Sequence, residues 1–299
     1  MTIAFFVSAR ILVKWDFGSL SEEQYALEKR SYLVMTITLF VFVVKFPLLP
    51  YFVFTIDDLS SLVPGAMCAA GVISANDYGL KLLFVKLFIV FMLILWIMIN
   101  RYDLEEKNYP WFRHKSILFI VIFALMIVEL WLDISYFSAI DIHAPVSCCS
   151  ALFGQLEGAN PLPFGMDTGT MLTLFYMSYL LIVLLYFVGK DAILLPALAL
   201  FVYLAYYSVV YFFGTYIYEL PTHKCPFCML QKEYMYVGYL VWGSLFGGVF
   251  LAAAASVATI WIGRDTGGVK RIALSMITLF VFVSTAYVAV YYFKNGVFL

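Results

Sequence analysis

Residues 79–100, GLKLLFVKLFIVFMLILWIMIN, decide the fold. Beyond Lys86 the chain runs through thirteen consecutive apolar residues, Leu87 to Ile99. At a rise of about 1.5 Å per residue, a helix of this stretch crosses a hydrocarbon core roughly 30 Å thick. Nothing in it alternates polar with apolar, so a lipid-facing barrel strand is excluded and a helix satisfies every backbone group within the bilayer. Six further runs of the same kind occupy residues 31–54, 116–140, 170–188, 193–214, 234–262 and 272–293. Overall 64% of residues are apolar and 12% charged, against about a quarter charged in soluble domains. The expectation is an all-α, polytopic membrane helix bundle of about seven transmembrane helices, forming one domain over residues 31–299 with no soluble domain.

Residues 1–30 precede that domain. The first fifteen are interrupted by Arg10 and Lys14 and lack a signal-peptide cleavage pattern, so they read as an amphipathic arm lying on the membrane surface. Ser21-Glu22-Glu23-Gln24 reads as a capping box that opens the helix leading into the first span.

Basic residues fix the expected orientation, because they are retained on the cytoplasmic side. Arg10, Lys14, Lys29 and Arg30 lie in the arm, and Arg101, Lys107, Arg113 and Lys115 between spans two and three. Lys190, Arg264, Lys270 and Arg271 follow in the later connections on that side. The amino terminus is then cytoplasmic, with extracytoplasmic loops near residues 55–78, 141–169 and 215–233. In a bacterium this is a multi-pass protein of the inner membrane. The net charge of -1 carries no concentrated basic patch of the kind nucleic acid requires.

All five cysteines fall in those three loops: Cys68 in the first, Cys148 and Cys149 in the second, Cys225 and Cys228 in the third. An oxidising exterior permits disulfides there. Cys225-Pro226-Phe227-Cys228 is the strongest motif, since two thiols at this spacing close a disulfide or share a metal. Placed on the first turn of span six, Cys225 would feel the positive end of the helix dipole, and His223 and Lys224 add charge that favours a thiolate nucleophile. Cys148 and Cys149 are consecutive, with Cα atoms about 3.8 Å apart, too close for an unstrained mutual disulfide. Each could pair elsewhere, for example with Cys68, or both could ligate a metal.

Lys45, Lys86, Glu129 and Asp133 place charge inside the outer halves of spans one to three. Because unpaired charge at depth is costly, they are expected to form a buried ion-pair cluster that fixes helix register, with a proton path as the functional alternative.

The run Cys225-Pro226-Phe227-Cys228-Met229-Leu230-Gln231-Lys232 resembles the Cys-Pro-x-Cys-x-Leu-Gln-Arg segment of the DsbB family, membrane enzymes that pass electrons from periplasmic thiols to quinone. The order of the cysteines, with Cys68, Cys148 and Cys149 preceding the Cys-x-x-Cys pair, is similar to that of the vitamin K epoxide reductase group. The resemblance implies Cys225 and Cys228 as the redox pair beside the quinone. Lys232 then stands where the family has arginine, close to the quinone with Gln231 and His223.

Three functional readings follow. In the first, the protein is a membrane thiol-disulfide oxidoreductase using Cys225, Cys228, Cys148 and Cys149, with quinone as electron acceptor and a periplasmic thioredoxin-like protein or larger membrane complex as partner. In the second, Cys148, Cys149, Cys225 and Cys228 with His143 and His223 hold copper(I) or zinc, helped by Met67 and Met229. In the third, disulfides merely tie the outer loops of a transporter or respiratory subunit.

Overall fold

The computed structural model describes residues 1–16, 18–19, 21–106, 108–146 and 162–299, and among these it contains helices and no strands. Seven helical segments are long and apolar enough to span a membrane: Glu22–Ser61, Gly79–Glu105, Phe112–Ser138, Thr168–Val188, Asp191–Tyr218, Val237–Ile262 and Gly267–Asn295. The protein is an all-helical, multi-pass membrane bundle. Each expected span is present; most are extended at one or both ends, whereas the sixth starts later, at Val237, and the third stops at Ser138.

We label the helices α1 (Thr2–Lys14), α2 (Glu22–Asp58), α3 (Ala69–Ile73), α4 (Gly79–Glu105), α5 (Phe112–Ser138), α6 (Thr168–Val188), α7 (Asp191–Ser208), α8 (Gly214–Tyr218), α9 (Val237–Ile262) and α10 (Gly267–Asn295). Ser21 caps α2 as the sequence indicates, its hydroxyl accepting a hydrogen bond from Gln24 N at 3.3 Å. A π-turn over Val209–Phe213 joins α7 to α8 within one span.

The centre of the bundle is α9, which packs against α4, α7 and α10. Its sequence is rich in small residues, and Gly248 is one reason the neighbour comes close. A Cβ there would lie 2.9 Å from Ile277 N and 3.0 Å from Ala273 O of α10, so helix axes approach where the side chain is absent. Around α9, α4 pairs with α5 and α6 pairs with α7.

Buried charge ties the first three spans together. Glu129 on α5 receives Lys45 Nζ of α2 at 2.7 Å and Lys86 Nζ of α4 at 2.9 Å, and Lys86 also meets Asp133 at 3.0 Å. This is the expected ion-pair cluster. A second buried pair, Lys115–Asp103 at 2.6 Å, joins α5 to α4 near the opposite end, and Asp103 also accepts a hydrogen bond from Trp111 N.

The arm packs on the third span. Trp15 stacks on Phe112 at the start of α5 with ring centroids 4.1 Å apart, and Phe5 sits 5.1 Å from Phe123, eleven residues further along that helix. Eleven helical residues rise about 16 Å. Helix α1 therefore runs antiparallel alongside the first half of α5. The physical reason is its inner face: Ala4, Ser8 and Ile11 are buried, while Arg10 and Lys14 are exposed.

Candidate functional site: a buried sulfur cluster

Alternating spans deliver the connections between α2 and α4 and between α8 and α9, and the described start of the one that follows α5, to one end of the bundle, and hydrogen bonds lock them to each other there. Helix α2 ends close to Asp57, whose carboxylate accepts from Ala69 N at 2.9 Å and from Gln231 Nε2 at 3.2 Å. Gln231 also donates to Met67 O at 3.1 Å. One carboxylate and one amide thus clasp the residues on either side of Cys68 to the segment just after Cys228. The second connection joins through Val146 N, which donates to Pro64 O at 2.8 Å. Gly65 adopts φ +82°, and its missing side chain leaves room for Val146 O.

The result is a cluster of Cys68, Cys225 and Cys228, whose sulfurs all lie within 4.8 Å of one another. Cys68 Sγ and Cys225 Sγ are 3.6 Å apart. All three side chains are buried, Cys68 completely. Cys148 and Cys149 lie outside the described residues.

The turn carrying Cys225 and Cys228 is built differently from the sequence expectation. Cys228 opens a 3-10 turn, Cys228–Leu230, and α9 starts only at Val237. Met235 and Tyr236, at φ 52° and 56°, interrupt the path between them. Cys225 is therefore not on the first turn of span six, and the dipole of that helix does not act on it directly.

The turn is held instead by Tyr218 and Trp242. Tyr218 donates its hydroxyl to Cys225 O and accepts from Met229 N at 3.1 Å. Trp242 Nε1 donates to Pro226 O at 3.0 Å. Sequence reading did not find Tyr218 or Asp57: each is an ordinary polar residue at a span end, and only the fold brings it to the cysteines. The sequence marks Cys68 as one candidate pairing partner, and the fold brings it into the cluster.

The remaining expected residues are distributed unevenly. His223 lies beside the cluster, its ring 4.3 Å from that of Tyr218. Its Nε2 is enclosed and has no hydrogen-bond partner among the described residues. Burial lowers the His223 pKa from the usual 6.5, opposed by the nearby Cys68 thiol, so the imidazole is neutral near pH 7. Gln231 is committed to the clasp. Lys232 is exposed at the start of a short 3-10 turn, and His143 is exposed on the second connection. Among the described residues, the sulfurs are the only set of three His, Cys, Asp or Glu ligand atoms close enough to share an ion.

The fold and this geometry define a polytopic helical membrane protein with a sulfur cluster at one end. Comparison with protein-family models, with curated proteins and with solved structures finds no match.

Proposed function

We propose that the protein is a membrane thiol-disulfide oxidoreductase that exchanges electrons between extracytoplasmic thiols and a membrane quinone. The observation that carries this reading is the 3.6 Å approach of Cys68 to Cys225, with Cys228 in reach of both. A disulfide needs its sulfurs about 2.05 Å apart, so a shift of under about 2 Å brings this pair to bonding distance for exchange with an existing disulfide. In the internal exchange, the Cys68 thiolate attacks Cys225 of a Cys225–Cys228 disulfide. The Cys68–Cys225 bond forms, the Cys225–Cys228 bond breaks, and Cys228 leaves as thiolate. This step moves a disulfide without net oxidation. On this reading two electrons and two protons leave the dithiol for the quinone elsewhere in the cycle, and Cys148 with Cys149 carries the exchange to the outside partner. On this reading neutral His223 exchanges a proton with the Cys68 side. Since the Gln231 amide is engaged by Asp57 and Met67, Lys232 and His223 are the residues left to meet a quinone. Replacing Cys225 or Cys228 by Ser should abolish thiol oxidation while the folded protein is retained. Activity that survives both replacements removes the assignment.

Metal binding is the second reading, favoured by two observations. Three thiolates around one zinc at about 2.3 Å would stand roughly 3.8 Å from one another in tetrahedral geometry, close to the separation of Cys68 and Cys225. His223, two residues before Cys225, has a buried Nε2 with no hydrogen-bond partner among the described residues, although it stands outside the group of three sulfurs. Stoichiometric copper or zinc in the purified protein, lost with Cys225→Ser, would select this reading over the first.

A further inference from the structure

The end of the bundle away from the sulfurs carries a cavity of about 750 Å³ between α1 and the start of α2. Its size lies within the range of about 300–1,000 Å³ that holds small ligands. Ile3, Phe6, Val7 and Leu27 form its apolar wall, and Arg10 and Arg30 stand on its rim. Ile3 and Phe6 are more than 70% exposed despite lining it. Since α1 runs beside α5, a helix long and apolar enough to span the membrane, an acyl chain is the apolar group at hand to cover this exposed wall.

The charged groups facing the cavity are Arg10, Lys14, Arg30, Asp16 and Glu23. Lys14 and Glu23 satisfy each other at 3.2 Å, and Asp16 accepts from Gly18 N at 3.0 Å. Arg10 and Arg30 have no ion-pair partner among the described residues, and the lining as a whole keeps one net positive charge. A single phosphodiester anion neutralises that excess, and guanidinium groups match its oxygens in geometry.

We propose that this cavity binds one anionic phospholipid, with its phosphate on Arg10 and Arg30 and an acyl chain along Ile3, Phe6, Val7 and Leu27. The lipid completes the contact between α1 and α2, and so holds the amino-terminal helix against the bundle. Nothing in this depends on the chemistry of the cysteines.

The test uses the full chain, delipidated in detergent and then equilibrated with vesicles of dioleoylphosphatidylglycerol or of dioleoylphosphatidylcholine, with retained lipid read by native mass spectrometry. One phosphatidylglycerol per chain is expected, at least about tenfold preferred over phosphatidylcholine. Arg10→Gln with Arg30→Gln should abolish the preference. Ala26→Trp, at an exposed position lining the cavity, should displace the lipid while leaving both arginines in place, and it decides the matter if the arginine variant loses its helical circular dichroism. Equal retention of the two lipids by the unmodified chain overturns the proposal. So does undiminished retention in Ala26→Trp, or an adduct of another mass that ignores the loss of the arginines.

Discussion

Replacing Glu129 by Ala should be among the most damaging single changes in the molecule. Glu129 accepts two lysines from two other helices, and its side chain is only 6% exposed. Without it Lys45 keeps no acceptor among the described residues, and Lys86 retains Asp133 alone. The loss of one member of a buried pair costs about 3–5 kcal/mol. Snorkelling of lysine toward the interface relieves part of this. We therefore expect about 3 kcal/mol, close to the insertion cost of an unpaired lysine at the helix centre. The double variant Lys45→Met with Glu129→Gln removes one charge of each sign and leaves Lys86 with Asp133. It should recover to within about 1 kcal/mol of the original stability, giving a clear coupling between the two sites. Reversible unfolding in mixed detergent micelles, followed by circular dichroism, measures both quantities. If Glu129→Ala costs less than about 0.5 kcal/mol, the value expected of an unremarkable surface change, the claim that this network joins α2, α4 and α5 is wrong.

Three further outcomes follow from the sulfur end. Asp57→Ala removes the acceptor for Ala69 N and Gln231 Nε2, and should slow diamide-induced joining of Cys68 to Cys225 severalfold without unfolding the bundle; an unchanged rate argues against the clasp. Gly65→Ala meets both a left-handed backbone and the Val146 carbonyl, so it should cost about 1–3 kcal/mol and speed amide exchange at Val146. His223, facing Tyr218 and Cys68, has a lowered folded pKa, so its unfolded form takes up the proton first. Stability should therefore be full above pH 6.5 and fall as acid is added below it, and His223→Gln should flatten that decline in a thermal melt measured across the pH series.

The spans were legible because membrane crossing imposes a length and a composition that survive in a bare sequence. Their ends were less so: α2 begins at Glu22, since a capped polar turn continues directly into the apolar run at Ser31. The pairing of Lys45, Lys86, Glu129 and Asp133 was legible because charge at depth demands a partner. The docking of helix α1 on α5 was not legible, since Arg10 and Lys14 mark its exposed face while the rings it meets, Phe112 and Phe123, lie far along the chain. At the site, loop alternation was enough to expect cysteines from different connections at one end. It could not reveal the Asp57–Gln231 clasp, which joins residues 174 positions apart. Nor could it show that Met235 and Tyr236 turn through left-handed backbone and separate Cys228 from the helix start.

Chemical cross-linking of the native protein offers the sharpest check on the sulfur cluster. Mild oxidation in membranes, followed by proteolysis and mass spectrometry, should yield peptides joining Cys68 to Cys225 or to Cys228. If Cys68 is never recovered bonded to either residue, and stays open to independent alkylation under all oxidising conditions, the two connections do not meet and the proposed chemistry has no site.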